Sequence, residues 1–225
     1  MIYIGIATHN RVEKLKRLLD SIEKQTYKDI QTVILYDKED TATDFYLRES
    51  KNESNCGFHQ KTYVIEKWNS FHRDYEGDAH VTLVDDVELH TTCIERAYNE
   101  LITTFPDRDG VIGINQVCPF KHDYKFQPTG QIMVGLPFLN RYPNRQICCP
   151  KYVQWYQDTE LLDYATKLGK FKLCKDSTLI HYHPAYVSNE MDSTHALTRN
   201  EIYKKDTMIY NQRKMSGKVW GYLFD

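Results

Sequence analysis

Asp85 and Asp86 stand side by side after the apolar run His80-Val81-Thr82-Leu83-Val84 and before Val87-Glu88. Two adjacent carboxylates at the end of a buried strand repel each other, and a cation relieves the repulsion. A hard divalent ion shared with a diphosphate does so naturally, because Mg²⁺-type ions take one or two carboxylates from a protein and the remaining oxygens from phosphates. An exposed acidic turn would read the same way, so the position of the pair carries the argument. Two other polar clusters also follow apolar runs. Thr8-His9-Asn10-Arg11 follows Ile2-Tyr3-Ile4-Gly5-Ile6-Ala7, and Asp37 follows Thr32-Val33-Ile34-Leu35-Tyr36.

The elements that must hold these clusters alternate between strand and helix. The three apolar runs read as buried strands. Between the first two, Val12, Leu15, Leu18, Leu19 and Ile22 fall on one helical face, with Asn10 as N-cap and Glu13 completing a capping box. Thr92 and Glu95 box a further helix through Ile94, Ala97, Tyr98, Leu101 and Ile102, closed by Pro106. Val111-Ile112-Gly113-Ile114 is another strand, and a short strand is expected at Phe45-Tyr46-Leu47. Alternation with short joints calls for right-handed crossovers and a mostly parallel, Rossmann-like central sheet flanked by helices. Ligands of such sheets sit beyond the carboxyl ends of the strands, which is where all three polar clusters fall.

Residues 116 to 150 carry five prolines among aromatics and read as loops with one strand, Gly130 to Leu136. Asp158 to Leu168 reads as a helix ended by Gly169. Residues 178 to 184 read as a last strand, and Thr198 and Glu201 cap a terminal helix. Its Lys204-Lys205 and Arg213-Lys214 form a basic stripe read as a solvated face. Trp155 and Tyr156 are large enough to stack on a sugar, but core packing is the expectation taken.

The 225 residues include 29 basic and 31 acidic side chains, a formal charge of −2. That balance argues against affinity won mainly from nucleic-acid phosphates. No apolar run approaches the ~20 residues of a membrane span. Arg11, Glu13 and Lys14 follow the first apolar stretch at once, so it lacks the layout of a secretory signal. Six cysteines without a Cys-x-x-Cys pair read as buried thiols in a reducing, cytoplasmic setting. His9, His59, His72, His80, His90 and His122 have no metal-ligand spacing.

With these motifs in place, the chain resembles the large inverting glycosyltransferase family that includes the catalytic domains of cellulose, chitin and hyaluronan synthases. Ile4 to Arg11 is similar to that family's opening strand, and Leu18-Leu19-Asp20-Ser21-Ile22 with Gln25-Thr26-Tyr27 to its first helix and exit. Asn55-Cys56-Gly57 resembles the Asn-x-Gly segment before the third helix. Leu83-Val84-Asp85-Asp86 resembles the Asp-x-Asp region, and Gln157-Asp158-Thr159-Glu160-Leu161 the Glu-Asp-x-Glu-Leu segment. Two departures stand out: Val87 occupies the third acidic position, and Gln157 replaces the acid before the base.

The resemblance implies a GT-A (nucleotide-diphospho-sugar transferase) fold over residues 1 to 190, with a nucleotide-sugar-binding half to 115, an acceptor-side half to 190 and a helical appendage from 191 to 225. It implies transfer from a nucleoside-diphosphate sugar, UDP-linked by expectation, to an acceptor hydroxyl with inversion. The donor would meet Thr8, Asn10, Arg11, Asp37, Asn55, Gly57, Asp85 and Asp86, with Asp37 reading the base. Mn²⁺ or Mg²⁺ would sit at Asp86 and His181 or His183. Asp158 would be the general base, with Glu160 as the second candidate. The acceptor would be a glycan or a modified nucleic-acid base. Two rivals remain: a sugar-phosphate nucleotidyltransferase, against which the glycine-free loop 8–11 counts, and a non-catalytic sugar-binding module of the same fold.

Overall fold

In the computed structural model, residues 1–50, 55–58, 62–119, 125–183 and 201–221 are described, with residues 55–58 as backbone only. Among them, eight strands form one sheet in the order β3-β2-β1-β4-β7-β6-β8-β5. In chain order these are β1 (Ile2–Ala7), β2 (Ile30–Asp37), β3 (Asn55–Phe58), β4 (Ala79–Val84), β5 (Val87–Leu89), β6 (Val111–Val117), β7 (Ile132–Gly135) and β8 (Phe171–His181). The helices are α1 (Val12–Glu23), α2 (Thr41–Glu49), α3 (Val64–Asp74), α4 (Cys93–Thr104), α5 (Leu136–Leu139), α6 (Gln157–Lys167) and α7 (Glu201–Met215).

β3, β2, β1 and β4 run parallel, as expected. β7 then enters antiparallel between β4 and β6, and the short β5 pairs antiparallel with the outer face of β8. Alternation along the buried strands divides the core between the two faces of the sheet. Ile2, Ile4 and Ile6 of β1 pack with Leu15 and Leu18 of α1 and with Ile94 and Leu101 of α4. Val33 and Leu35 of β2 pack with Trp68 and Phe71 of α3, in a cluster that extends to Leu161 and Ala165 of α6.

Several local expectations are corrected. Phe45-Tyr46-Leu47 is not a strand but the middle of α2, because Asp40 caps the helix by accepting the Thr43 N–H (3.0 Å) while Leu47 is buried and Phe45 faces solvent. Asn10 does not cap α1. It takes a left-handed φ of 55°, and the helix starts after Arg11 without a side-chain cap. Thr92 does not cap α4 with its side chain either. Gln25 reaches across to accept the Ile94 N–H (3.1 Å), and Thr26 takes Glu95 (2.6 Å). The missing local caps are replaced by partners distant in sequence. Gly169 does end α6 at φ 66°, with the paired Gly169→Thr166 and Lys170→Ala165 hydrogen bonds of a Schellman turn.

The cysteines Cys93, Cys118, Cys148, Cys149 and Cys174 are buried thiols; the Cys56 side chain lies outside the described residues. Pro184 and Thr198 also lie outside them. No described helix is long and apolar enough to cross a membrane.

The sheet also buries a histidine pair. His72 Nδ1 of α3 and His80 Nδ1 of β4 lie 3.1 Å apart with stacked rings, fully buried beside Phe71. Burial pushes both imidazoles down, His80 to about 4, with the Arg145 charge adding to the effect on His80 and the neighbouring His80 to that on His72. Below pH ~6.5 the unfolded chain therefore binds protons that the folded chain refuses, and stability falls as pH drops. Urea unfolding at pH 5 is expected to show about 2 kcal/mol less stability from His80 than at pH 7. A His72→Leu/His80→Leu double variant is expected to flatten that slope.

Candidate active site

The parallel register brings three strand ends together. Ala7 pairs with Leu35 on one side and Val84 on the other, so Thr8, Asp37 and Asp85 emerge as neighbours. The loop after β1 is then stitched to both flanking strand ends. Thr8 Oγ1 donates to Asp85 Oδ2 (2.8 Å) and Arg11 to Asp85 Oδ1 (2.9 Å). His9 Nδ1 lies 2.8 Å from Asp37 Oδ2.

A cleft of about 320 Å³ opens over these strand ends. Of the residues singled out in the sequence, Thr8, Arg11, Asp37, Asp85, Asp86, Asp158, His181 and His183 all line it. Asp85 and Asp86, after β4, and Asp158, at the start of α6, thus meet in one cleft. His9, Lys67, Trp68, Gln131 and Gln154 line it as well and were not singled out as ligands.

Asn10 and Glu160 do not line the cleft. The Asn10 backbone N–H donates to Asp40 (2.6 Å), anchoring the loop from behind. Glu160 is buried against the opposite face of α6, where it accepts from Arg213 (2.7 Å), Tyr152 (2.7 Å) and the Trp220 N–H (3.2 Å). It is spent on fixing the chain's last helix, which removes it as a base. The same contact corrects Arg213, which is a buried ion-pair partner and not part of a solvated stripe. Asn55 and Gly57 belong to β3 beside β2, where only the backbone is described.

The carboxylates differ in their surroundings. Burial and the neighbouring Asp86 charge push the Asp85 carboxyl up, against the pull of Arg11 and Thr8. Asp86 is buried too, but the hydrogen bond and charge of His181, with Arg11, outweigh burial and hold it below the usual carboxylate range. Asp158 is pushed up by burial, despite accepting the Thr159 N–H (2.8 Å). Asp158 therefore sits inside the first turn of α6 and is not its cap; Tyr156, left-handed at φ 69°, is the residue that starts the helix. The pull of the helix end on the carboxylate loses to desolvation, which makes Asp158 a stronger base than a surface carboxylate.

Lys67 is the residue that sequence reasoning missed. Sitting in α3 among apolar neighbours, its ammonium donates to the Thr8 carbonyl (3.0 Å) and lies 3.2 Å from Asp37, and burial lowers its pKa. Asp37 also accepts the Thr62 N–H (2.9 Å) and hydroxyl (3.0 Å). A lysine between Val64-Ile65 and Trp68, on the apolar side of a helical segment, was the available signal.

Asp86 and His181 present two donors of a kind that suits a divalent cation. Gln116 Oε1 engages His181 Nδ1 (2.9 Å), which turns Nε2 towards Asp86 Oδ1 at 3.3 Å. A second-shell amide that fixes the imidazole in this way is the usual setting of a metal-binding His. No cluster of three His, Cys, Asp or Glu donors occurs among the described residues, so diphosphate oxygens would have to complete the shell, as Mg²⁺-type sites allow. β8 ends at His181, so strand alternation no longer separates His183 from it. The two rings meet edge to face at 5.3 Å, and both line the cleft.

No family model matches the chain, and no curated protein matches it in sequence. Solved structures do match. S. aureus TarS 1–349 superposes with a TM-score of 0.63 at 12% identity, over 86% of this chain and 67% of that one. Its complex with UDP-GlcNAc reaches 0.66 at 13%, over 92% and 65%. The mannosyltransferase PcManGT from Pyrobaculum calidifontis, in complex with GDP-Man and Mn²⁺, reaches 0.57 at 11%, over 80% and 56%. The chain has the GT-A glycosyltransferase fold. It spans about two thirds or less of the length of these GT-A proteins. Within the GT-A frame, the cleft described above lies at the carboxyl ends of β1, β2 and β4, where open α/β sheets bind their ligands.

Proposed function

We propose that this chain is an inverting glycosyltransferase that moves a sugar from a nucleoside-diphosphate sugar, UDP-linked by preference, to an acceptor hydroxyl. The observation that supports this reading is that Asp85 and Asp86, at the end of β4, and Asp158, in the first turn of α6, line one and the same cleft.

In this mechanism Asp37, positioned by Lys67, His9 and Thr62, faces the nucleoside. Arg11 and Lys67 supply positive charge at the diphosphate end, and Thr8 and Arg11 hold Asp85 in place. Asp86 and His181, with His183 beside them, would hold Mn²⁺ or Mg²⁺, which when bound neutralises charge on the diphosphate. Asp158 takes the proton of the acceptor hydroxyl as its oxygen forms a bond to the anomeric carbon. The bond from that carbon to the diphosphate oxygen breaks on the far face, and its electron pair leaves with the nucleoside diphosphate. A single displacement inverts the anomeric configuration.

Thermal unfolding with nucleoside diphosphates, with and without Mn²⁺, tests the reading. A ligand at a hundred times its Kd is expected to raise Tm by roughly 5–10 °C for a chain of this size. UDP with Mn²⁺ is expected to give the largest shift. No shift with any nucleoside diphosphate would overturn the assignment.

A further inference from the structure

The segments that line the cleft differ in chemistry. The loop after β1 and α3 bring Arg11, His9 and Lys67, whereas residues 154–157 bring Gln154, Trp155, Tyr156 and Gln157. Amides beside an aromatic face suit a neutral polyhydroxylated ring.

This stretch is held by α7, which lies beyond the segment that resembles the synthase family. The fully buried Asp206 carboxylate accepts the backbone N–H groups of Val153 (3.1 Å), Gln154 (2.8 Å) and Trp155 (2.8 Å). One carboxylate thus gathers three successive amides and fixes the backbone just before the left-handed turn at Tyr156. The Tyr156 ring stacks on Tyr210 at 4.5 Å, and its hydroxyl meets Thr207 (2.9 Å). Tyr156 is therefore taken up by α7, as core packing requires. Trp155 differs: its ring meets the half-exposed Tyr203 at right angles, 5.5 Å away, and it remains partly exposed on the cleft wall. A pinned backbone behind a partly exposed indole is a preorganised stacking platform.

We propose that Trp155, flanked by Gln154 and Gln157, forms a binding subsite for a neutral saccharide ring, and that Asp206 of α7 is its positioning residue. The subsite rests on the transfer reading only in being named an acceptor site. The expected occupant is a glycan terminus, not a nucleobase.

Saturation-transfer NMR on the full chain tests this, with the methyl glycosides of glucose, galactose, mannose and N-acetylglucosamine as probes and adenosine as the nucleobase control. At least one glycoside is expected to bind, with its ring protons saturated most strongly. Trp155→Ala should weaken that binding at least fivefold, and Trp155→Phe should restore most of it. Asp206→Asn should weaken glycoside binding while leaving the UDP-induced Tm shift unchanged. Binding of adenosine but no glycoside, or glycoside binding indifferent to Trp155→Ala, overturns the proposal, as does silence of every glycoside. If glycosides bind through Trp155 but no nucleoside diphosphate shifts Tm, the transfer reading fails and the subsite stands.

Discussion

Asp158→Asn is expected to abolish sugar transfer while leaving donor binding intact. The substitution keeps the volume and the hydrogen bond from the Thr159 N–H but removes the proton acceptor. General-base groups contribute on the order of 10²–10⁴ in rate, so a loss of about a thousandfold is expected in kcat. Donor affinity, read as the UDP-induced Tm shift, should stay within twofold, because Asp158 enters from α6 and not from the strand ends that face the diphosphate. The pH profile gives a second check. Burial raises the Asp158 pKa, so the acid limb of kcat should fall at a higher pH than an ordinary carboxylate dictates. Retained turnover in the variant would move the base elsewhere, and Glu160 is not available because Arg213 holds it on the other side of the helix.

The second large effect concerns Asp86. In the intact chain Mn²⁺ is expected to tighten UDP binding by at least tenfold, about 1.4 kcal/mol. In Asp86→Ala that coupling should vanish, with equal affinity in the presence and absence of metal. Asp86→Ala removes the carboxylate that His181 faces while relieving the charge beside Asp85, so the Tm of the variant without ligand is measured first. Titration calorimetry of UDP with and without Mn²⁺ measures both affinities. Equal metal dependence in the two proteins would sink the metal assignment, and a loss confined to His181→Ala would transfer it to the imidazole.

Much of this site was legible in the chain because it depends on strand ends. Parallel strands of short period announce themselves through β-branched runs, and the residue after each run must emerge on the same edge. That logic alone brings Thr8, Asp37 and Asp85-Asp86 together, and the register of β2, β1 and β4 agrees with it. Residues that reach the cleft from helices were harder to place. Lys67 sits in a mixed helix beside Glu66, and nothing local says that its ammonium ends on Asp37. Caps were misread for a related reason: Asn10-x-x-Glu13 and Thr92-x-x-Glu95 have the right spacing, but Gln25 and Asp40 satisfy the neighbouring backbone groups from a distance.

By itself, then, the order of residues determined an alternating α/β chain, the polar edge of its sheet and the two acidic positions, Asp85-Asp86 and Asp158, on which the proposed chemistry depends. The α/β alternation, the polar edge and Asp85-Asp86 follow from periodicity and from strand ends, which are local properties, whereas Asp158 stood out through the resemblance of residues 157–161 to the synthase family. Only the tertiary structure separated Asp158 from Glu160, two residues apart on one helix. Their side chains leave the helix about 200° apart, so one enters the cleft and the other meets Arg213. It also decided that α7, read in the sequence as a helix with a basic solvated stripe, holds the wall of the cleft through the buried Asp206 carboxylate, beside Thr207 and Tyr210. No local pattern encodes that contact, since Asp206 and the amides it binds are more than fifty residues apart.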